Sequence, residues 1–123
     1  MKRSDIADIA RRHGLKAVIL FGSRATGRAT PTSDCDLCVS VRRFPVDEAG
    51  LIDDLSGALS LDVDLSVFER IGPSLKRTVA LEGRLLFGSR AEWDRMRLQA
   101  IGEWQDADRF LAVTRAYLDR ALG

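Results

Sequence analysis

The chain has 123 residues, 46% of them hydrophobic and 30% charged, with 19 basic against 18 acidic side chains. Those figures describe one globular domain with a modest core. The near-zero net charge argues against bulk nucleic-acid binding, and no apolar run approaches the ~20 residues of a membrane span. No signal peptide is apparent, so the expected compartment is the cytoplasm.

In chain order, residues 4–12 place Ile6, Ile9 and Ala10 at helical spacing, with Ser4 as expected N-cap and Gly14 as expected stop. Residues 16–21 form an almost wholly apolar strand, the pattern of burial on both faces. Residues 22–28 read as a turn opening a short helix, and 29–33, with Pro31, as loop. A second strand follows over 34–41. Residues 47–59 predict a helix with Ala49, Ile52, Leu55 and Leu59 on its apolar face. Over 61–68 the pattern alternates. Leu61, Val63, Leu65 and Val67 face one way; Asp62, Asp64 and Ser66 face the other. Gly72-Pro73 introduces a helix to about residue 81, and 84–87 form a last short strand. Ser89 and Glu92 form a capping box. The helix it starts is expected to run to residue 122, through a weak point at Gly102. Trp93, Met96, Ala100, Trp104, Ala107, Leu111 and Leu118 make its apolar stripe, widened by Phe110, Val113 and Tyr117. Such width exceeds what a small domain covers, so part of it is expected to meet another chain; the alternative is that the helix folds back and completes the core.

The chemistry concentrates around two strands. Gly22-Ser23 closes the first, and ten residues later Asp34-Cys35-Asp36 opens the second. A small-residue turn leaving a strand can aim backbone N–H groups at phosphate. Carboxylates at i and i+2 share a strand face and repel unless a cation lies between them. Hard oxygen ligands beside phosphates suit Mg²⁺. Asp64, on the polar face of the third strand, is the candidate third carboxylate, with Asp62 as the adjacent alternative. Two metal ions held by such a cluster can grip attacking and leaving oxygens.

Other features have plainer readings. Cys35 and Cys38 form C-x-x-C, but a zinc site lacks further ligands and a strand points i and i+3 to opposite sides. They read as two buried thiols. His13, at a helix end, reads as a capping or surface residue. Phe-Gly-Ser-Arg recurs at 87–90, but ten residues after Ser89 stand Ala100-Ile101-Gly102, with no carboxylate pair. The repeat reads as a strand end and helix cap.

Gly22-Ser23-x10-Asp34-x-Asp36, within Phe21-Gly-Ser-Arg-Ala-Thr-Gly27 and Thr32-Ser-Asp-Cys-Asp-Leu37, resembles the signature of the DNA polymerase β-like nucleotidyltransferase superfamily. In detail it resembles the minimal nucleotidyltransferases, the MNT group, the MntA-like antitoxins of HEPN/MNT toxin–antitoxin systems. The resemblance covers roughly residues 15–88. It implies an α/β (α+β) fold: a small mixed sheet with the site on one face, helices on the other, and a long C-terminal helix. One domain spans 1–123, with 1–88 as catalytic core and 89–123 as helical tail. It also implies that Asp34, Asp36 and Asp64 are the catalytic carboxylates and hold two Mg²⁺ ions, Asp64 helping to deprotonate the acceptor. Gly22 and Ser23 would cradle the triphosphate of ATP, with Arg24 as a further phosphate contact or an exposed arginine. Lys76 and Arg77 are further candidates for reaching the triphosphate. No base-reading pocket is visible, so ATP rests on the resemblance.

The implied activity is transfer of AMP from ATP to a hydroxyl, a tyrosine of a partner HEPN toxin, which silences that toxin. The shortness of the chain favours a protein acceptor. Two alternatives stand beside this: an antitoxin that acts by binding alone, and a small-molecule nucleotidyltransferase with a partner subunit. A homo-oligomer through the C-terminal helix is a further expectation.

Overall fold

The computed structural model describes residues 3–123; the first two residues of the expected catalytic core lie outside the described residues. Helix α1 (Arg3–Arg12) leads into strand β1 (Leu15–Phe21), followed by the short helix α2 (Ser23–Thr26) and strand β2 (Cys35–Val41). Helix α3 (Glu48–Leu59), strand β3 (Val63–Val67), helix α4 (Pro73–Glu82), strand β4 (Arg84–Phe87) and the 33-residue helix α5 (Arg90–Leu122) complete the chain. The sheet order is β3-β2-β1-β4. Strand β1 runs antiparallel to both β2 and β4, and β2 runs parallel to β3. The two apolar strands are thus central, and the alternating β3 lies at an edge.

Several boundaries follow from side chains recognisable in the sequence. Gly14 ends α1 at φ 66°. Because α1 begins at Arg3, Ser4 sits inside its first turn and is not the cap. Asp47 caps α3 by accepting the Gly50 N–H at 3.0 Å. Pro73 opens α4, where its missing N–H costs nothing. Ser89 caps α5 by accepting the Glu92 N–H at 3.0 Å. The second Phe-Gly-Ser-Arg is therefore a strand end and a helix cap, as read. The buried face of α3 differs from expectation: it centres on Leu51 and Leu55, and Ala49 is exposed. Two leucines four apart bury more surface than an alanine in the first turn, and they set the helix's rotation.

Apolar side chains cover both sheet faces. On one, Leu15, Val18, Cys35, Leu37, Val39 and Val67 pack against Ile6, Ile9, Leu51 and Leu55 from α1 and α3. On the other, Ala17, Ile19, Phe21 and Cys38 pack against Phe68, Val79, Trp93 and Met96. Helices were expected on one face alone. Helix α4 and the start of α5 also cover the second face, because its β1 and β2 side chains are apolar away from the carboxylate end. Cys35 and Cys38 are free, buried and on opposite faces. Burial pushes the Cys38 thiol up to about 12. His13 bonds Asp54 at 2.7 Å and ties α1 to α3.

Helix α5 is about 50 Å long at 1.5 Å per residue. Only Trp93, Met96 and Ala100 are buried in it. Its last ties to the domain are Glu103, which pairs with the buried Lys76 ammonium at 2.8 Å, and Trp104, whose ring lies 4.9 Å from the Arg77 guanidinium. Beyond them Phe110, Leu111, Val113, Tyr117, Leu118 and Leu122 are exposed. The tail does not fold back to complete the core. Helix α5 passes through Gly102 unbroken, and a Cβ there would meet nothing within 4 Å. Gly102→Ala should therefore raise stability by about 0.5–1 kcal/mol in urea denaturation, through lower unfolded-state entropy alone.

Candidate active site

The ladder between β2 and β3 pairs Asp36 directly with Asp64. Parallel neighbours of one register share a sheet face, so both carboxylates point the same way about 4.8 Å apart at the backbone. Asp36 also lies opposite Phe21, the last residue of β1. The chain then turns at Gly22, with φ 74° and ψ −156°, a region essentially restricted to glycine. A Cβ at Gly22 would strike the Asp36 carboxylate. The turn and the carboxylate pair therefore meet without an intervening side chain.

Asp36 is held above the usual carboxylate range. Partial burial is the main cause, followed by the charges of Asp64 and Asp34, the closeness of Asp64 for a shared proton, and the charge of Glu82. Burial and neighbouring negative charge thus act in the same direction on this carboxyl. Among the described residues, no three His, Cys, Asp or Glu side chains converge to cage a metal by themselves. Asp34 precedes β2 and lines a cleft of about 620 Å³ with Ser33, Ser56, Ser60 and Asp62. Mg²⁺ does not require a cage, since it is commonly bound by one or two carboxylates together with substrate phosphates. The Asp36–Asp64 pair fits that demand.

The other sequence candidates separate. Ser23 opens α2 beside Gly22. Arg24 turns away: its Nε and Nη2 donate to the Ser33 carbonyl at 3.0 and 2.7 Å, pinning the loop that delivers Asp34. Lys76 is spent on Glu103 and lies 5.0 Å from the Phe68 ring centroid, inside the core. Arg77 stacks on Trp104. Sequence reasoning missed Glu82. Its Oε2 accepts the Gly22 N–H at 3.2 Å, from 60 residues away. Gly22→Ala should cost about 1–3 kcal/mol of thermal stability from backbone strain alone and displace Asp36, with a larger loss of nucleotide binding than of fold.

Comparison with known proteins bears on the fold and the family. The family model described as "Nucleotidyltransferase domain" matches residues 3–87. A chain of a toxin–antitoxin crystal structure with AMP-PNP superposes with TM-score 0.79 at 24% identity, over 100% of both chains. A tri-AMPylated Shewanella oneidensis HEPN toxin in complex with MNT antitoxin contains a chain matching with TM-score 0.70 at 22% identity, over 98% of this chain and 96% of that one. At these identities the likeness is one of fold. A protein proposed to be a minimal nucleotidyltransferase is 33% identical, with TM-score 0.60, over 67% of this chain and 86% of its own. Comparison with curated proteins gives no match. With the family model covering the sheet, the Gly22 turn and all three aspartates, the chain belongs to the nucleotidyltransferase domain family.

Proposed function

We propose that this protein transfers AMP from MgATP to a tyrosine hydroxyl of a partner HEPN-type toxin, and so acts in the cytoplasm as the antitoxin of a pair. The observation that carries the reading is the Asp36–Asp64 register pair lying against the Gly22 turn. Asp36 and Asp64 would hold Mg²⁺, with Asp34 at the adjoining cleft edge as the third carboxylate of a two-ion site. The metal supplies charge neutralisation at the triphosphate and at the acceptor oxygen. Gly22 and Ser23 offer backbone N–H groups to the phosphates. Arg24 keeps the Asp34 loop in place through the Ser33 carbonyl. The acceptor oxygen attacks the α-phosphorus, pyrophosphate leaves, and Asp64 helps take the acceptor's proton.

A further observation supports a protein acceptor: the outer half of α5 presents a row of aromatic and aliphatic side chains. Exposed apolar patches of that kind mark interfaces, and aromatics anchor them. The similar structures include a toxin–antitoxin pair with AMP-PNP and a tri-AMPylated toxin with its MNT antitoxin. Among the described residues no helix is long and apolar enough to cross a membrane.

Co-expression with the partner toxin followed by intact-mass analysis tests the reading. The toxin should gain mass in steps of one AMP, and Asp36→Asn should cut transfer about 100- to 1,000-fold or more. A tight complex with an unmodified toxin would instead support neutralisation by binding alone.

The same substitution tests the metal site without activity. A carboxylate whose pKa is raised on folding disfavours the folded state once ionised. Asp36→Asn should therefore raise the melting temperature of the protein in EDTA by a few degrees at pH 7. Added Mg²⁺ should raise the melting temperature of the wild type more than that of the variant.

The tail is tested by truncation. Cutting before Glu103 would strand the buried Lys76 ammonium, so the informative deletion is 108–123. It should leave MgATP affinity within about twofold and weaken partner binding by tenfold or more, by calorimetry. Loss of fold and nucleotide binding together would assign the segment to the core.

A further inference from the structure

Glu82 is the last residue of α4, and its carboxylate reaches the phosphate turn. Oε2 accepts the Gly22 N–H at 3.2 Å, and Oε1 lies 3.4 Å from Arg28 Nη2. Glu82 is 28% exposed at its side chain and Arg28 68%. A carboxylate thus occupies a backbone donor of the turn assigned above to phosphate, with an arginine closing the other side. Glu82 also adds its charge to those pressing on Asp36.

We propose that Glu82 is a placeholder for phosphate: it satisfies Gly22 N–H in the nucleotide-free chain and is displaced by an incoming triphosphate, which takes over both that donor and Arg28. The inference rests on the reading of the site as a nucleotide site. Two anions cannot share one N–H, and phosphate beside carboxylate is repulsive at this range. The movement must come from the Glu82 side chain, because the adjoining backbone is locked. A Cβ on Gly83 would lie 2.7 Å from both Ile19 Cγ2 and Trp93 Cη2, so the chain there runs pressed against β1 and α5. Arg28, exposed on the loop after α2, can exchange one anion for another with little rearrangement. The placeholder keeps the Gly22 N–H satisfied while the site waits, at a cost in nucleotide affinity.

The experiment is calorimetry on the full chain with MgATP and with magnesium tripolyphosphate, comparing wild type, Glu82→Gln and Arg28→Gln. The glutamine at 82 keeps an acceptor for Gly22 N–H and removes only the charge. It should tighten both ligands about tenfold, the scale of one lost like-charge contact at a partly exposed site. Arg28→Gln should weaken both by a similar factor. A purely structural Glu82, or one that holds metal, predicts unchanged or weaker binding in Glu82→Gln, and either result overturns the proposal. If Glu82→Gln does not fold, unaltered tripolyphosphate binding by Arg28→Gln overturns it and weakened binding supports it. Failure of the wild type to bind MgATP at all would overturn the reading of the site itself, a result distinct from MgATP binding that ignores Glu82.

Discussion

The β2–β3 register sets Asp36 against Asp64, and the rest of the molecule is arranged around that repulsion. Two like charges side by side on a sheet are costly, and the Asp64 charge adds to partial burial in raising the proton affinity of Asp36. A sheet accepts such a pair only where the surrounding packing fixes the strands independently. Here Leu37, Val39 and Val67 do so on the opposite face, held under α1 and α3. The apolar face drives the register, and the polar face inherits it. A one-residue slip would turn Leu65 and Val67 out of the core, so the carboxylates remain paired despite their repulsion.

That constraint explains the unequal cover of the second face. A helix laid over the carboxylate end would bury the like-charged pair further and raise its cost. Cover is needed further along, where Ile19, Cys38 and Phe68 are apolar. Helix α4 and the first three turns of α5 supply it, with Trp93, Met96 and Ala100 as the buried residues of α5. Its outer half projects. Lys76 and Glu103 mark where packing stops: the ammonium is 6% exposed and its partner 37%.

Much of this was legible in the sequence because it is local. Alternation in 61–68 assigned the faces of β3. The Gly22-Ser23 turn followed by Asp34 and Asp36 brought the turn and the carboxylates together before any contact was known, and the structure sets Gly22 against Asp36. Gly72-Pro73 and Ser89 marked helix starts by their own backbone chemistry. What was not legible depends on contacts far apart in the chain. Glu82 looks like an ordinary last-turn glutamate, and its bond to Gly22 spans 60 residues. Arg24 sits in the right motif to meet phosphate, yet its guanidinium finds the Ser33 carbonyl nine residues on. Lys76 read as a candidate for reaching the triphosphate; its burial depends on Phe68 and on a helix that arrives 27 residues later. The apolar stripe of α5 announced excess surface, but how many turns the domain would cover depended on how much of the sheet the other helices left bare.

Helix α4 emerges as the element that joins the two working regions. Its middle carries Lys76, which fixes α5 through Glu103, and its end carries Glu82, which accepts the Gly22 N–H. Between them Val79 and Ala80 are buried against the sheet, and Gly83 allows no added atom between Ile19 and Trp93. The helix is thus clamped along its length by β1 beneath and α5 above. A clamped helix transmits position rather than flexibility: whatever fixes α5 also fixes the backbone from which Glu82 reaches Gly22. The side chain of Glu82 then remains the adjustable part, at the point where charge on an incoming ligand would act on it. Rigidity in the α4 backbone and freedom in one side chain are compatible because the tight packing ends at Gly83, while the Glu82 carboxylate stays part-exposed at the lip of the site.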